Sequence, residues 1–231
     1  MNRTLIPAII VLAVTFLIFE NSNLDLTLQD NFYHFDTGTW LVTKEMRIPH
    51  LVFYSGIKAL ITALGIGLII LCLLPVRFFE RLTGGQLRRV DLWVVVATLI
   101  TAPSLIALGK ATTNVHCPYE LTRYNGEQSY LKVLENPAPG TRPARRGRGF
   151  PAGHASGGFA LLSLASLGRT RRQVAAGISI GLLAGSSMGI YQMLRGAHFL
   201  SHTLVTALTC WIVFLLWRQV LSRRVPAVTK P

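Results

Sequence analysis

Six runs of near-continuous apolar residues, rather than any periodic pattern, constrain what this chain can fold into. A helix needs roughly 17–25 such residues to cross the hydrocarbon core of a bilayer, a length of run that a water-soluble core does not require. The runs are Leu5–Phe19, Leu51–Leu74 (ended by Pro75), Leu92–Leu108 (interrupted by Pro103), Ala155–Leu167, Val174–Leu194 and Leu204–Val220. The first is short, and the fourth is the least apolar, being rich in Gly, Ala and Ser. Composition agrees: 51% of residues are hydrophobic, 14% are charged and the mean hydropathy is +0.44. A soluble domain would carry charge on roughly a quarter of its residues. The predicted fold is therefore all-α, a polytopic bundle of six transmembrane helices forming one integral membrane domain over residues 1–231. The first run follows Arg3 and leaves through Glu20-Asn21-Ser22-Asn23 without a small-residue cleavage site, which predicts a retained anchor.

Six crossings put both termini on one side, and Lys and Arg in the short connections set which side. With the termini inside, the inner segments hold twelve basic residues (Arg3, Arg77, Arg81, Arg88, Arg89, Arg169, Arg171, Arg172, Arg218, Arg223, Arg224 and Lys230) against Glu80 and Asp91. The outer segments hold ten basic residues and eight acids, and Lys58 falls inside the second run. The bias is strong in net charge and slight in Lys and Arg alone. One outer loop, Ala111–Phe150, causes the difference, with Arg123, Lys132, Arg142, Arg145, Arg146 and Arg148, and Lys110 at its edge. Basic charge on the translocated side attracts an anionic substrate or head group. The Pro, Gly and Arg of Asn136–Gly149 equally describe a solvated linker, and both readings stand. The formal charge of +13 is mostly this membrane signature and predicts no nucleic-acid partner. Cys72 and Cys210 lie in apolar runs and Cys117 is alone in the outer loop, so no intramolecular disulfide is expected there.

Glycines at 177, 181, 185 and 189 line one face of the fifth run, and small residues at 157, 158, 160, 163 and 165 match them in the fourth. Such faces let helices approach closely in lipid. Packing accounts for the glycines; its consequence is to bring together the outer ends that carry His154 and Arg195–His202. In the outer segment Glu20–His50, Phe32, Tyr33, Phe35 and Trp40 are expected as boundary anchors.

Three clusters occupy the outer ends of the third to sixth runs: Lys110–Pro118, Phe150–Ser156 and Arg195–His202. Charged and imidazole groups at a bilayer edge are costly unless paired or functional. One imidazole can attack phosphorus while a second protonates the leaving oxygen. Lys, Arg and backbone N–H groups neutralise the equatorial oxygens. The Gly153-His154-Ala155-Ser156 stretch opens a helix whose N–H groups would face the phosphate. This chemistry requires no metal or other cofactor.

These clusters resemble the motifs of the type 2 phosphatidic acid phosphatase and haloperoxidase superfamily, which read Lys-x6-Arg-Pro, Pro-Ser-Gly-His and Ser-Arg-x5-His-x3-Asp. Lys110 and Pro118 match the first, Pro151, Gly153 and His154 the second, and His198 the nucleophile of the third. The resemblance covers about residues 92–220 and is to the membrane branch. Cys117 and Gln192 stand where the family has Arg, Ala152 where it has Ser, and His202 where it has Asp. The resemblance implies His198 as nucleophile, His154 as general acid then base, and His202 orienting His198. Lys110, Gly153 and Gln192 would bind phosphate, with Arg195, Arg123 and Arg148 as candidates for the missing guanidinium clamps. Lys58 would snorkel to the same face or serve packing alone. The implied activity is a phosphatase of a lipid phosphate or diphosphate such as undecaprenyl diphosphate. The implied location is the bacterial inner membrane with the site facing the periplasm, in contact with phospholipid. The run Gln192–His202 is also similar to that of bacterial lipid A 1-diphosphate synthases, which implies, as an alternative, phosphoryl transfer to lipid A. A degenerate site that binds lipid phosphate without catalysis is the third reading. The oligomeric state is left open.

Overall fold

A computed structural model describes residues 4–43, 46–136 and 146–222, and most of the described residues are helical. Helix α1 (Leu5–Glu20) ends in a bend of 80° that leads into the short α2 (Leu24–Gln29). A two-residue hairpin follows, β1 (Tyr33–His34) paired antiparallel with β2 (Thr39–Trp40). The next helix runs from Arg47 to Leu73 as α3 (Arg47–His50), a π-helical stretch Leu51–Gly56 and α4 (Ile57–Leu73). A short α5 (Val76–Thr83) stops at Gly84, whose φ of 57° is the left-handed C-terminal cap glycine favours. Then come α6 (Arg89–Thr112), α7 (Gly153–Ala160) with a 3-10 extension Leu161–Leu167, α8 (Arg171–Leu194) and α9 (Leu200–Ser222).

Four of these helices are long and apolar enough to cross a membrane: Arg47–Leu73, α6, α8 and α9. A fifth is added if the bent pair Leu5–Glu20 and Leu24–Phe32 counts as one. Their outer faces are apolar, with Leu60 and Leu183 each 72% exposed, an arrangement suited to hydrocarbon rather than water. These four helices begin three or four residues before the predicted apolar runs, and α6 also continues four residues past the end of its run. Polar residues such as Arg171 and Lys110 continue the helix because its backbone must bond internally near lipid. Pro103 does not interrupt α6, which is continuous across it.

The fourth predicted run departs from a plain transmembrane helix. It is eight residues of α-helix and seven of 3-10 helix, together about 26 Å long at the rises of the two helix types. It lies against α6, α8 and α9, which explains how so weakly apolar a sequence is accommodated. A Cβ on Gly181 would fall 2.4 Å from the Leu162 nitrogen, so the predicted glycine face does meet this segment at backbone contact. At the opposite end, Asp91 pairs with Arg88 at 2.9 Å and Arg169 at 2.8 Å, tying α6 to the start of α8. Thr170 caps α8, accepting from the Gln173 N–H while Gln173 accepts in return.

Of the aromatic residues expected as boundary anchors, Tyr33, Phe35 and Trp40 make ring contacts with one another or with Tyr124. Tyr33 and Trp40 meet Tyr124 at ring-centroid distances of 5.2 and 5.0 Å, and Phe199 completes this satellite core. The hairpin reaches the α8–α9 connection, where the Trp40 ring lies against Gly196. Arg142 and Arg145 of the basic loop, and Arg3, Arg223, Arg224 and Lys230 of the charge bias, lie outside the described residues.

Candidate active site

The α8–α9 connection presents His198. Helix α8 closes in a Schellman motif: Ala197 N–H donates to the Gln192 carbonyl at 2.8 Å and Gly196 N–H to Met193 at 3.0 Å. The motif demands a left-handed residue, and Gly196 supplies it with φ of 68°. The Trp40 ring lies against this glycine, and Tyr119 N–H donates to its carbonyl at 2.9 Å. The turn aims the next residues inward, so His198 and His202 are each only 2% exposed.

The other two clusters are stitched to the same place by hydrogen bonds to backbone carbonyls. Gly149 N–H donates to Val115 at 2.6 Å, the Thr113 hydroxyl to Phe150 at 2.6 Å, and Ala152 N–H to the His202 carbonyl at 3.2 Å. These contacts set His154 in the first turn of α7. Its ring centroid is 5.8 Å from that of His198, and His198 is 5.7 Å from His202, with the two Nδ1 atoms 3.4 Å apart. On its far side His154 meets Tyr54 at 4.7 Å, and Tyr54 stacks on His50 at 4.7 Å.

Above these rings opens a cavity of about 610 Å3. Lys110, Arg146, Arg148 and Arg195 bring positive charge to its wall, with Glu120 as the acid among its lining residues. Arg195 is steadied by its position 5.6 Å over the Tyr191 ring. Burial, followed by the neighbouring His202, holds the His198 imidazole well below its ordinary range, so the ring is neutral at pH 7. Burial, then the charges of Lys110, Arg195 and Lys58, lowers His154 to about 4. An arriving phosphate dianion would offset those charges and allow His154 to take up a proton. Burial raises the Cys117 thiol to about 12, so the residue standing where the family motif has Arg brings no charge.

Of the residues singled out from the sequence, His154, His198, Lys110, Arg195, Arg148 and Gln192 line this cavity. Gly153 sits beside it with its Cα hydrogens turned to the Lys110 stem, which a Cβ would approach to 3.3 Å. His202 stands behind His198 instead of on the wall. Arg123 does not join them: its guanidinium forks onto Asp30 at 2.6 and 2.8 Å, and it is absent from the lining. The acid that holds it, Asp30, belongs to the outer segment Glu20–His50, which spacing from the motifs does not reveal. Lys58 lines a separate groove of about 510 Å3 with Ile61, Ile66, Leu99 and Ile100, and this groove shares Tyr54 and His154 with the cavity.

His50, Tyr54, Tyr119 and Glu120 also line the cavity and were not expected there. His50 carried a usable signal, since it is another imidazole at a membrane edge. Arg146 belongs to the predicted basic cluster and donates to the carbonyls of Thr112 and Thr113 at the end of α6, which satisfies groups the helix leaves open.

The family model described as the PAP2 superfamily matches residues 91–226, more than half of the chain. No curated protein and no solved structure matches it.

Proposed function

The chain belongs to the PAP2 superfamily, a family of phosphatases acting on phosphate esters, and from that premise we propose that it is a membrane phosphatase of a lipid phosphate or diphosphate. One observation carries the choice of a lipid: the cation-lined cavity and the apolar groove meet at Tyr54 and His154. A phosphate in the first and a hydrocarbon chain in the second require a substrate that has both.

In this reading the His198 nitrogen not turned to His202 attacks phosphorus, forming an N–P bond as the P–O bond to the leaving group breaks. His154 gives its proton to the departing oxygen, then takes one from the water that attacks the phosphohistidine and releases phosphate. Lys110, Arg195 and Arg148, with Gly153 and Gln192, hold the equatorial oxygens; His202 orients His198. The remaining crossings are supplied by α1 and by residues 155–167, giving six spans in a single membrane domain with its core at about 92–220. Both termini are cytoplasmic and the site faces the periplasm of a bacterial inner membrane.

Phosphate release in detergent from undecaprenyl diphosphate, phosphatidylglycerol phosphate and lipid A tests the proposal, with His198→Ala as control. Turnover that depends on His198 is the expected result, and turnover retained by His198→Ala removes it from the nucleophile role. A second reading, transfer to a lipid acceptor such as lipid A, draws on the cavity's volume, which exceeds that of one phosphate group several-fold. Label from undecaprenyl diphosphate would then appear on lipid A and not as inorganic phosphate.

A further inference from the structure

The segment before the matched family region reaches into the site from behind. Asp25 of α2 is 5% exposed, and both carboxylate oxygens are engaged by one residue of α9. The Ser201 N–H donates to Oδ1 at 2.9 Å and its hydroxyl donates to Oδ2. Ser201 is the second residue of α9 and immediately precedes His202. One turn along α2, Gln29 is 1% exposed and donates to the Met193 carbonyl at 2.8 Å. The short α2 therefore grips both ends of the connection that carries His198: the last turn of α8 through Gln29 and the first turn of α9 through Asp25. A carboxylate at a helix start satisfies an orphan N–H and complements the positive end of the dipole. The residue four past His198 is His202, so α9 itself brings no acid to this turn.

We propose that Asp25 is a positioning residue for His198, supplying from the N-terminal segment the anchoring carboxylate that α9 lacks. It fixes the first turn of α9, and with it the His202 ring that sits 3.4 Å from His198, without touching the substrate. Asp25 lines a separate cavity of about 20 Å3 behind His202, the room of a single water, together with Tyr130, Lys132, Ser201 and Glu20. The two cavities share no lining residue, so a change at Asp25 reaches the chemistry through the elements between them, α9 first.

This inference rests on the reading of His198 as nucleophile, and the test separates the two. Full-length Asp25→Asn, Asp25→Ala, Ser201→Ala and His198→Ala are compared in phosphate release, with the pre-steady-state burst counting competent sites. Asp25→Ala leaves the Ser201 N–H without its acceptor and should lower the rate per competent site by about a hundredfold, the loss expected for a misplacement of about 1 Å. Asp25→Asn keeps an acceptor and loses the charge, and should fall by roughly tenfold, with KM within about twofold for both variants. A role confined to folding would instead reduce the burst amplitude and leave the rate per site unchanged, which overturns the proposal. If Asp25→Ala gives no folded protein, Ser201→Ala decides: a reduced rate per site supports the anchor and a wild-type rate refutes it. Wild-type rates in the Asp25 variants beside an inactive His198→Ala remove this inference alone. An active His198→Ala removes the reading of the site and this inference with it.

Discussion

Replacing Gly196 by Ala tests how the α8–α9 connection holds His198. Two separate costs follow from the geometry. The φ of 68° is left-handed, a conformation that costs an L-residue about 1–2 kcal/mol. The new methyl would also fall 2.3 Å from Trp40 Cε2 and 2.4 Å from Cζ2. Carbon atoms in contact prefer about 3.5–4.0 Å, so the indole must retreat by more than about 1 Å. It has little freedom to do so, because Tyr33 and Tyr124 stand 4.8 and 5.0 Å away by ring centroid. Overpacking of this kind costs about 1–3 kcal/mol, which brings the expected destabilisation to roughly 2–5 kcal/mol. A loop displaced by about 1 Å would lower turnover on the order of a hundredfold. Unfolding titration in mixed micelles measures the first quantity and phosphate release the second. Combining Gly196→Ala with Trp40→Ala isolates the steric part: the double variant should be less damaged than the sum of the singles by about 1–3 kcal/mol. Additive losses would mean that the indole does not press on Gly196, and unchanged stability and turnover in Gly196→Ala would falsify the positioning argument altogether.

Three further outcomes are expected. Arg195→Ala should lose roughly a hundredfold in turnover, as removal of one oxyanion donor does. Arg123→Ala should stay near wild type and lose at most about 1 kcal/mol of stability, because its pair with Asp30 is half-exposed; equal losses in the two variants would refute the assignment of Arg195 to the phosphate. His154 is neutral in the empty site because burial and adjacent cations lower it to about 4, and a bound phosphate raises it again, so phosphate binding at pH 7 should take up a proton. Calorimetry in buffers of different ionisation enthalpy reads that uptake, and His154→Asn should abolish it; equal uptake in the variant would assign the proton elsewhere. Gly181→Val places carbon 2.4 Å from the Leu162 nitrogen, where backbone cannot yield, and should destabilise the protein by about 3 kcal/mol, the upper end for overpacking. An unchanged unfolding midpoint would show that α8 and the 161–167 segment are not in backbone contact.

Much of the architecture was legible because the bilayer makes one strong demand. A long apolar run must be helical to satisfy its backbone, and so α6, α8, α9 and the Arg47–Leu73 helix follow from hydropathy alone, apart from their polar ends. The glycine periodicity also named the face of α8 that packs, because close approach leaves no alternative to glycine. The histidines and Lys110 were legible for a different reason: ionisable groups at a membrane edge are rare without a purpose. Less was visible in the weakly apolar 155–167 run, since whether it becomes α-helix or 3-10 helix depends on the neighbours around it. Tertiary structure alone decided the company of the site. Arg123 left it because Asp30, distant by 93 residues, happens to stand within reach. Tyr54 and His50 entered because the Arg47–Leu73 helix passes beside α7. Asp25 came to hold the first turn of α9 across 176 residues of sequence, a pairing no local pattern encodes, since hydrogen bonds between distant segments depend on where packing brings them rather than on the residues between.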